Sequence, residues 1–252
     1  MAERLPETLR GYHEPLLVGG ATAVAVMQRH PEAVFTLGSA STAVIGVWEA
    51  VRNETEALIA EVERHGERHS PEYFAAMREA FTASDDAGGG LRRAALYVYL
   101  RGTAAPDARG EPPVDLSSAS PGRHALAFDE ANLRAVGRLL RERDVGFEVR
   151  SLFESLPDVL DEDLVVLDPP AHEAVPPREG ATTPGGAPSR ELRSFVGTAT
   201  AKGAAVLLLP PAAEGAEGDG AVSALSGWRD LDRVDDGFWG NRALRRMLAA
   251  RE

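Results

Sequence analysis

The chain has 252 residues, 44% of them hydrophobic and 26% charged, with a formal net charge of −12 and no cysteine. Without cysteine, disulfide scaffolds, thiolate zinc sites, iron–sulfur clusters and cysteine nucleophiles are excluded. No apolar run approaches the ~20 residues of a membrane span, and the first residues, MAERLPETLRGYHEP, carry no signal-peptide apolar core, so the expectation is a cytoplasmic protein. Lysine occurs once, at Lys202, and arginine carries nearly all the positive charge. The acidic balance is the opposite of what a phosphate-gripping surface needs.

In chain order, Tyr12–Leu17 reads as a short strand, Val18-Gly19-Gly20 as a tight turn, Ala21–Arg29 as a helix and Ala33–Leu37 as a second strand. Strand, helix and strand within about 30 residues open an α/β unit with a parallel sheet. From Thr42 to about Leu100 the pattern is helical, in three pieces. Ile45, Val47, Trp48, Val51, Leu58, Ile59 and Val62 form one apolar face in the first. Ser70-Pro71 starts the second, Glu72–Phe81, as a cap followed by proline in the first turn, and Leu91–Leu100 is the third. Gly102–Arg123, with four prolines, reads as a long loop.

The α/β pattern then returns. Asp129–Arg143 reads as a helix, Gly146–Arg150 as a strand, a helical turn follows, and Leu164–Leu167 is a strand running into Asp168-Pro169-Pro170. A helix around Arg190–Lys202 leads to a fifth strand, Ala204–Leu209. Ala171–Pro188 and Pro210–Gly227, rich in Pro and Gly, read as surface loops, and Asn241–Arg251 reads as a last helix with Leu244, Met247 and Leu248 on one face. The expected fold is α/β, a Rossmann-like, mostly parallel sheet of residues 1–47 and 124–252, interrupted by a helical insertion at 48–123.

Three places could carry chemistry. Val18-Gly19-Gly20, between a strand and a helix, could present N–H groups to an anionic or nucleotide ligand, or could simply be a tight connection. LVVLDPP, Leu164–Pro170, puts the Asp168 carboxylate at the carboxyl edge of a parallel sheet, where open α/β folds bind ligands, with rigid carbonyls beside it; a strand-ending turn with a solvated Asp reads equally well. His65 and His69 share a helix face at metal-ligand spacing, but no third ligand is evident and the expectation is no metal. No nucleophile elbow and no phosphate loop is present.

In order and spacing these pieces resemble the DNA adenine methylase (Dam) family, whose members transfer a methyl group from S-adenosylmethionine to the exocyclic amine of adenine. Glu14-Pro15-Leu16-Leu17-Val18-Gly19-Gly20 stands where the family reads E-P-F-x-G-G-G. Tyr73–Phe81 and Arg92–Leu100 are similar to its target-recognition helices, Asp129–Arg134 to its next helix, and Asp168-Pro169-Pro170-Ala171 to its D-P-P-Y motif. The resemblance implies a methyltransferase-type sheet, cofactor contacts at Glu14, Pro15, Val18, Gly19, Gly20, Ser39 and Ser151, and a catalytic motif at Asp168, Pro169 and Pro170.

The departures fall on the chemistry. Where the family places an Asp for the cofactor's ribose hydroxyls, the chain reads Ser39-Ala40-Ser41, and Ser151 stands where an acid meets the adenine. A serine cannot clamp two hydroxyls as a carboxylate does. Ala171 offers no ring to stack on a flipped base, and His172 is a poor substitute. The family's lysine- and glycine-containing segment ahead of the first strand is also not found here. Glu49–Arg123, the block that would face DNA, holds 13 acidic and 9 basic residues.

Two functions therefore compete. One is a catalytically inactive Dam-like homologue with a binding or structural role, needing no cofactor and meeting a protein partner, such as an active methylase or a viral or mobile-element assembly. The other is an active S-adenosylmethionine-dependent DNA adenine-N6 methyltransferase with divergent motifs, acting on double-stranded DNA. The first predicts that Arg78, Arg92, Arg93, Arg101 and Arg109 pair with acids such as Glu79, Asp85 and Asp86, and makes the aromatics Trp228, Phe238 and Trp239 a candidate protein contact. The second predicts that those arginines form one basic face. Neither involves a membrane.

Overall fold

The computed structural model describes residues 8–83, 90–106, 113, 115–122, 126, 128–168, 174–175, 187–188, 190–208, 228–235 and 244–250. They fall into two compact units, one of residues up to 40 and from 143 onward, the other of residues 41–142.

The first unit is built on a sheet of seven strands. In chain order these are β1 (Gly11–Glu14), β2 (Val34–Ser39), β3 (Asp144–Val149), β4 (Leu164–Leu167), β7 (Ala205–Leu208), β8 (Trp228–Asp235) and β9 (Leu244–Ala250), arranged β3-β2-β1-β4-β7-β9-β8. The two-residue strands β5 (Ala174–Val175) and β6 (Ala187–Pro188) pair with each other, antiparallel, elsewhere. The run β3-β2-β1-β4-β7 is parallel throughout, while β9 is antiparallel to both β7 and β8. This is the Rossmann-like α/β fold, with the strand order reversing direction beside β1, where chain crossovers leave a crevice at the carboxyl ends.

Each parallel strand follows from its sequence. Leu164–Leu167 is apolar at all four positions and buried at all four, as a strand covered on both faces must be. On one face Val165, Leu167, Val206 and Leu208 pack with Leu192, Phe195, Val196 and Ala199 of helix α7 (Arg190–Ala201) and with Leu152 and Val159, which flank a 3-10 turn at Phe153–Asp158. Just past α7, the Lys202 ammonium donates to the carbonyls of Leu156, at 2.6 Å, and Pro157, tying the end of that helix to the 3-10 turn. Helix α1 (Ala21–Arg29) connects β1 to β2 and starts from Gly20 at φ 62°, a left-handed position that favours glycine. From the middle of β1, the His13 Nε2 lies 2.9 Å from Asp163 Oδ2, an oxygen that also accepts from the Leu160 N–H.

The second unit is helical in its described residues: α2 (Thr42–Asn53), α3 (Thr55–Glu67), α4 (Pro71–Ala83), α5 (Leu91–Thr103) and α6 (Glu130–Arg141). Ser41, Ser70 and Asp129 cap α2, α4 and α6 through side-chain oxygens that accept from Val44, Tyr73 and Asn132 N–H groups. Its core holds Trp48, Leu58, Phe74, Tyr99 and Leu100. Gly137 lets α6 press against the junction of α2 and α3, for a Cβ there would stand 2.6 Å from Thr55 Oγ1 and from the Val51 carbonyl oxygen.

Three element readings need correction. The single helical face from Ile45 to Val62 is two helices, because Glu54 at φ −137° breaks the chain although apolar spacing continues across it. Helix α5 runs to Thr103, so the loop read as starting at Gly102 begins after Thr103. Asn241–Arg251, read as a helix, contains strand β9 instead. A stretch that short carries no decisive period, and backbone pairing to β7 and β8 overrides its helical spacing.

Candidate functional site

Parallel pairing sets the carboxyl ends of β1 to β4 along one edge. Glu14 closes β1, Ser39 closes β2, Ser151 lies two residues beyond β3, and Asp168 directly follows β4. Pro15, Val18, Gly19 and Gly20 form the turn from β1 into α1, and the Leu17 N–H donates to the Gly38 carbonyl at 2.8 Å, which holds this turn against β2. Pro169, Pro170 and Ala171 lie outside the described residues, as do His172, Phe238 and Trp239.

Strand alternation places Tyr12 and Glu14 on one face, together with Leu164 and Val166 through the pairing Tyr12↔Leu164. The Tyr12 hydroxyl donates to Glu14 Oε2 at 2.5 Å, and both residues are buried. Burial first, then the Glu14 charge and hydrogen bond and the Asp168 charge, push the Tyr12 phenol well above its ordinary range. Asp168, half-buried, is thus electrostatically coupled to the β1 pair across the edge. The sequence motif Glu14…Asp168 was visible; Tyr12, which orients Glu14, was not.

Ser39 is 7% exposed and its carbonyl accepts from the Arg150 N–H at 3.0 Å. A carboxylate is not present at this strand end; the chemistry it offers is one hydroxyl. Ser151 is exposed, and its N–H and hydroxyl both donate to Glu154 Oε2, at 2.7 and 2.8 Å. Those bonds, with the nearby Arg150 charge, hold the Glu154 carboxyl below its ordinary range against the opposing effect of desolvation. Ser151-Leu152-Phe153-Glu154 is the S-x-x-E capping pattern, so this acid could have been found in the sequence.

Arg150 is the largest surprise. Its side chain is 9% exposed, and its Nη1 binds Glu148 Oε2 at 2.7 Å and Asp158 Oδ2. The stem crosses the carboxyl end of β2: a Cβ built on Gly38 would lie 3.4 Å from Arg150 Nε and 3.5 Å from Pro15 Cα. Nε is buried without a hydrogen-bond acceptor.

In the helical unit, His65 Nδ1 lies 2.8 Å from the Tyr73 hydroxyl and His69 Nδ1 3.0 Å from that of Tyr99, with the His65 ring stacked on Tyr99 at 5.2 Å. The pair is part of an aromatic cluster, and among the described residues no group of three metal-ligating side chains occurs. Of the arginines, Arg78 donates to the Ala119 carbonyl, Arg93 to that of Phe81 while lying 4.2 Å over its ring, and Arg101 to that of Pro113. Each of the three thus binds backbone of its own helical unit. Arg92 is exposed, and Arg109, Asp85 and Asp86 lie outside the described residues. No described helix is long and apolar enough to cross a membrane.

No protein-family model matches the chain, and no curated protein matches its sequence.

Proposed function

We propose that the chain is a Dam-like DNA adenine methyltransferase homologue that has lost catalysis and keeps a binding or structural role toward a protein partner. The observation that carries this reading is the carboxyl end of β2, where buried Ser39 offers a hydroxyl in place of the acid that would clamp ribose hydroxyls. Losing one charge-assisted hydrogen bond weakens binding by about 1.5–3 kcal/mol, roughly tenfold or more. The residues at this edge do not fit S-adenosylmethionine, and the carbonyl-bound Arg78, Arg93 and Arg101 make a poor phosphate grip. In this reading the helical unit of residues 41–142 stands where a target-recognition domain would.

One observation favours the second reading, an active adenine-N6 methyltransferase. Asp168 keeps its place after β4, and Glu154 brings a carboxylate to Ser151. In that case S-adenosylmethionine would supply the methyl group, and Asp168 would hold the target amine.

Calorimetric titration with S-adenosylmethionine and a methylation assay on random-sequence duplex DNA separate the two. The inactive homologue gives no saturable heat and no adenine methylation. Methyl transfer that disappears in Asp168→Ala overturns it and makes Asp168 catalytic.

A further inference from the structure

Of the groups at the carboxyl edge, Arg150 alone is not explained by the fold. An arginine after an edge strand has solvent within reach, where its five donors would be hydrated without cost. Here its stem turns back over Gly38 near the carboxyl end of β2, and its Nε is buried without an acceptor, an uncompensated desolvation. What holds it there is a pair of carboxylates, Glu148 beside it on β3 and Asp158 at the end of the 3-10 turn, each about half exposed. The stem lies against Gly38, near the end of β2, a place that Pro15 Cα also approaches. In open α/β sheets the nucleoside half of a ligand enters between the turn after the first strand and the end of the second. A Cβ on Gly38 would meet the stem at ordinary contact distance, so the stem packs closely over this strand end.

We propose that Arg150 is a built-in latch that closes the nucleoside half of the carboxyl edge, with Glu148 and Asp158 as its tethers. This rests on the reading of the chain as a Dam-like homologue that does not take up S-adenosylmethionine, and it adds a physical cause: the edge is occupied by the protein's own guanidinium. A Ser39 hydroxyl lowers affinity for a ribose; a filled crevice excludes the nucleoside altogether.

The test is calorimetric titration of the full chain with adenosine. The wild type gives no saturable heat. Arg150→Ala empties the crevice, and the double variant Glu148→Gln with Asp158→Asn leaves the arginine in place but untethered, changing only partly exposed side chains. Both variants bind adenosine at least about tenfold more tightly than the wild type, equivalent to about 1.4 kcal/mol. Variants that melt cooperatively with native far-UV circular dichroism, yet bind no better than the wild type, overturn the latch and leave the reading beneath it standing. Saturable binding of S-adenosylmethionine by the wild type overturns both.

Discussion

The contact between Gly11 and Asp163 gives the fold its sharpest test. A methyl group added at Gly11 would stand 2.3, 2.6 and 2.9 Å from Oδ1, Cγ and Oδ2 of Asp163, so Gly11→Ala must drive that side chain out. Oδ2 accepts from both His13 Nε2 and the Leu160 N–H. His13 is buried, so displacement leaves its Nε2–H and the Leu160 N–H without the carboxylate that accepts from both. At about 1–3 kcal/mol for each such group, the cost is about 2–6 kcal/mol, a large part of the ~5–15 kcal/mol that holds a domain folded. Asp163→Ala removes the same two bonds and costs the same. The double variant loses them once, so it is destabilised by about 2–6 kcal/mol rather than the sum of the two. Asp163→Asn keeps an oxygen for both donors and loses only the charge, about 1 kcal/mol. Urea unfolding, with m checked for constancy, measures all four. Additivity of Gly11→Ala and Asp163→Ala to within about 0.5 kcal/mol would refute the reasoning, because two changes that share no partner add.

Further outcomes follow from the same geometry. Gly137→Ala gains about 1 kcal/mol of helix propensity but forces α6 off backbone it touches, at about 1–3 kcal/mol or more, so the melting temperature falls; a rise would show that the α2–α3 junction yields freely. Tyr12→Phe leaves buried Glu14 without its phenol donor and destabilises the sheet by about 1–3 kcal/mol in urea unfolding. Burial, partly opposed by the Glu61 charge, lowers the His65 pKa, so folding favours the neutral ring. This contribution is complete above the ordinary value of about 6.5 and is lost as pH falls from there toward the lowered folded value. His65→Gln should flatten the urea midpoint between pH 7.5 and 5.5, on the order of those limits; an unchanged slope would assign the loss elsewhere, His30 being another imidazole with a lowered pKa.

What the sequence showed, and what it hid, divides along physical lines. Strand β4 is read to the residue because four apolar side chains stand between two aspartates, Asp163 and Asp168. Capped helices are likewise legible, since Ser70 and Asp129 announce their first turns. Ser39 and Asp168 could be placed on one edge because each follows an apolar strand and parallel order does the rest, whereas Glu14 lay inside the strand read as Tyr12–Leu17, which in fact ends at Glu14. The break at Glu54 was hidden, for Val51, Leu58 and Val62 keep helical spacing across it. So were β8 and β9, whose strand form comes from pairing with β7 and with each other, which no local period records. Arg150 was the least legible of all: its stem packs over Gly38, more than 110 residues earlier in the chain.

The ammonium of Lys202, clamped on the Leu156 and Pro157 carbonyls, gives the molecule an unusual chemical address. Every other side-chain cation in the 252 residues is a guanidinium or an imidazole, so reagents and enzymes that acylate side-chain amines have one target. An acyl group there removes the charge and most of the donors that join the end of α7 to the 3-10 turn. That turn ends at Asp158, one of the carboxylates holding Arg150. A single, stoichiometric label at Lys202 would therefore report on, and disturb, the same short segment that tethers the carboxyl edge.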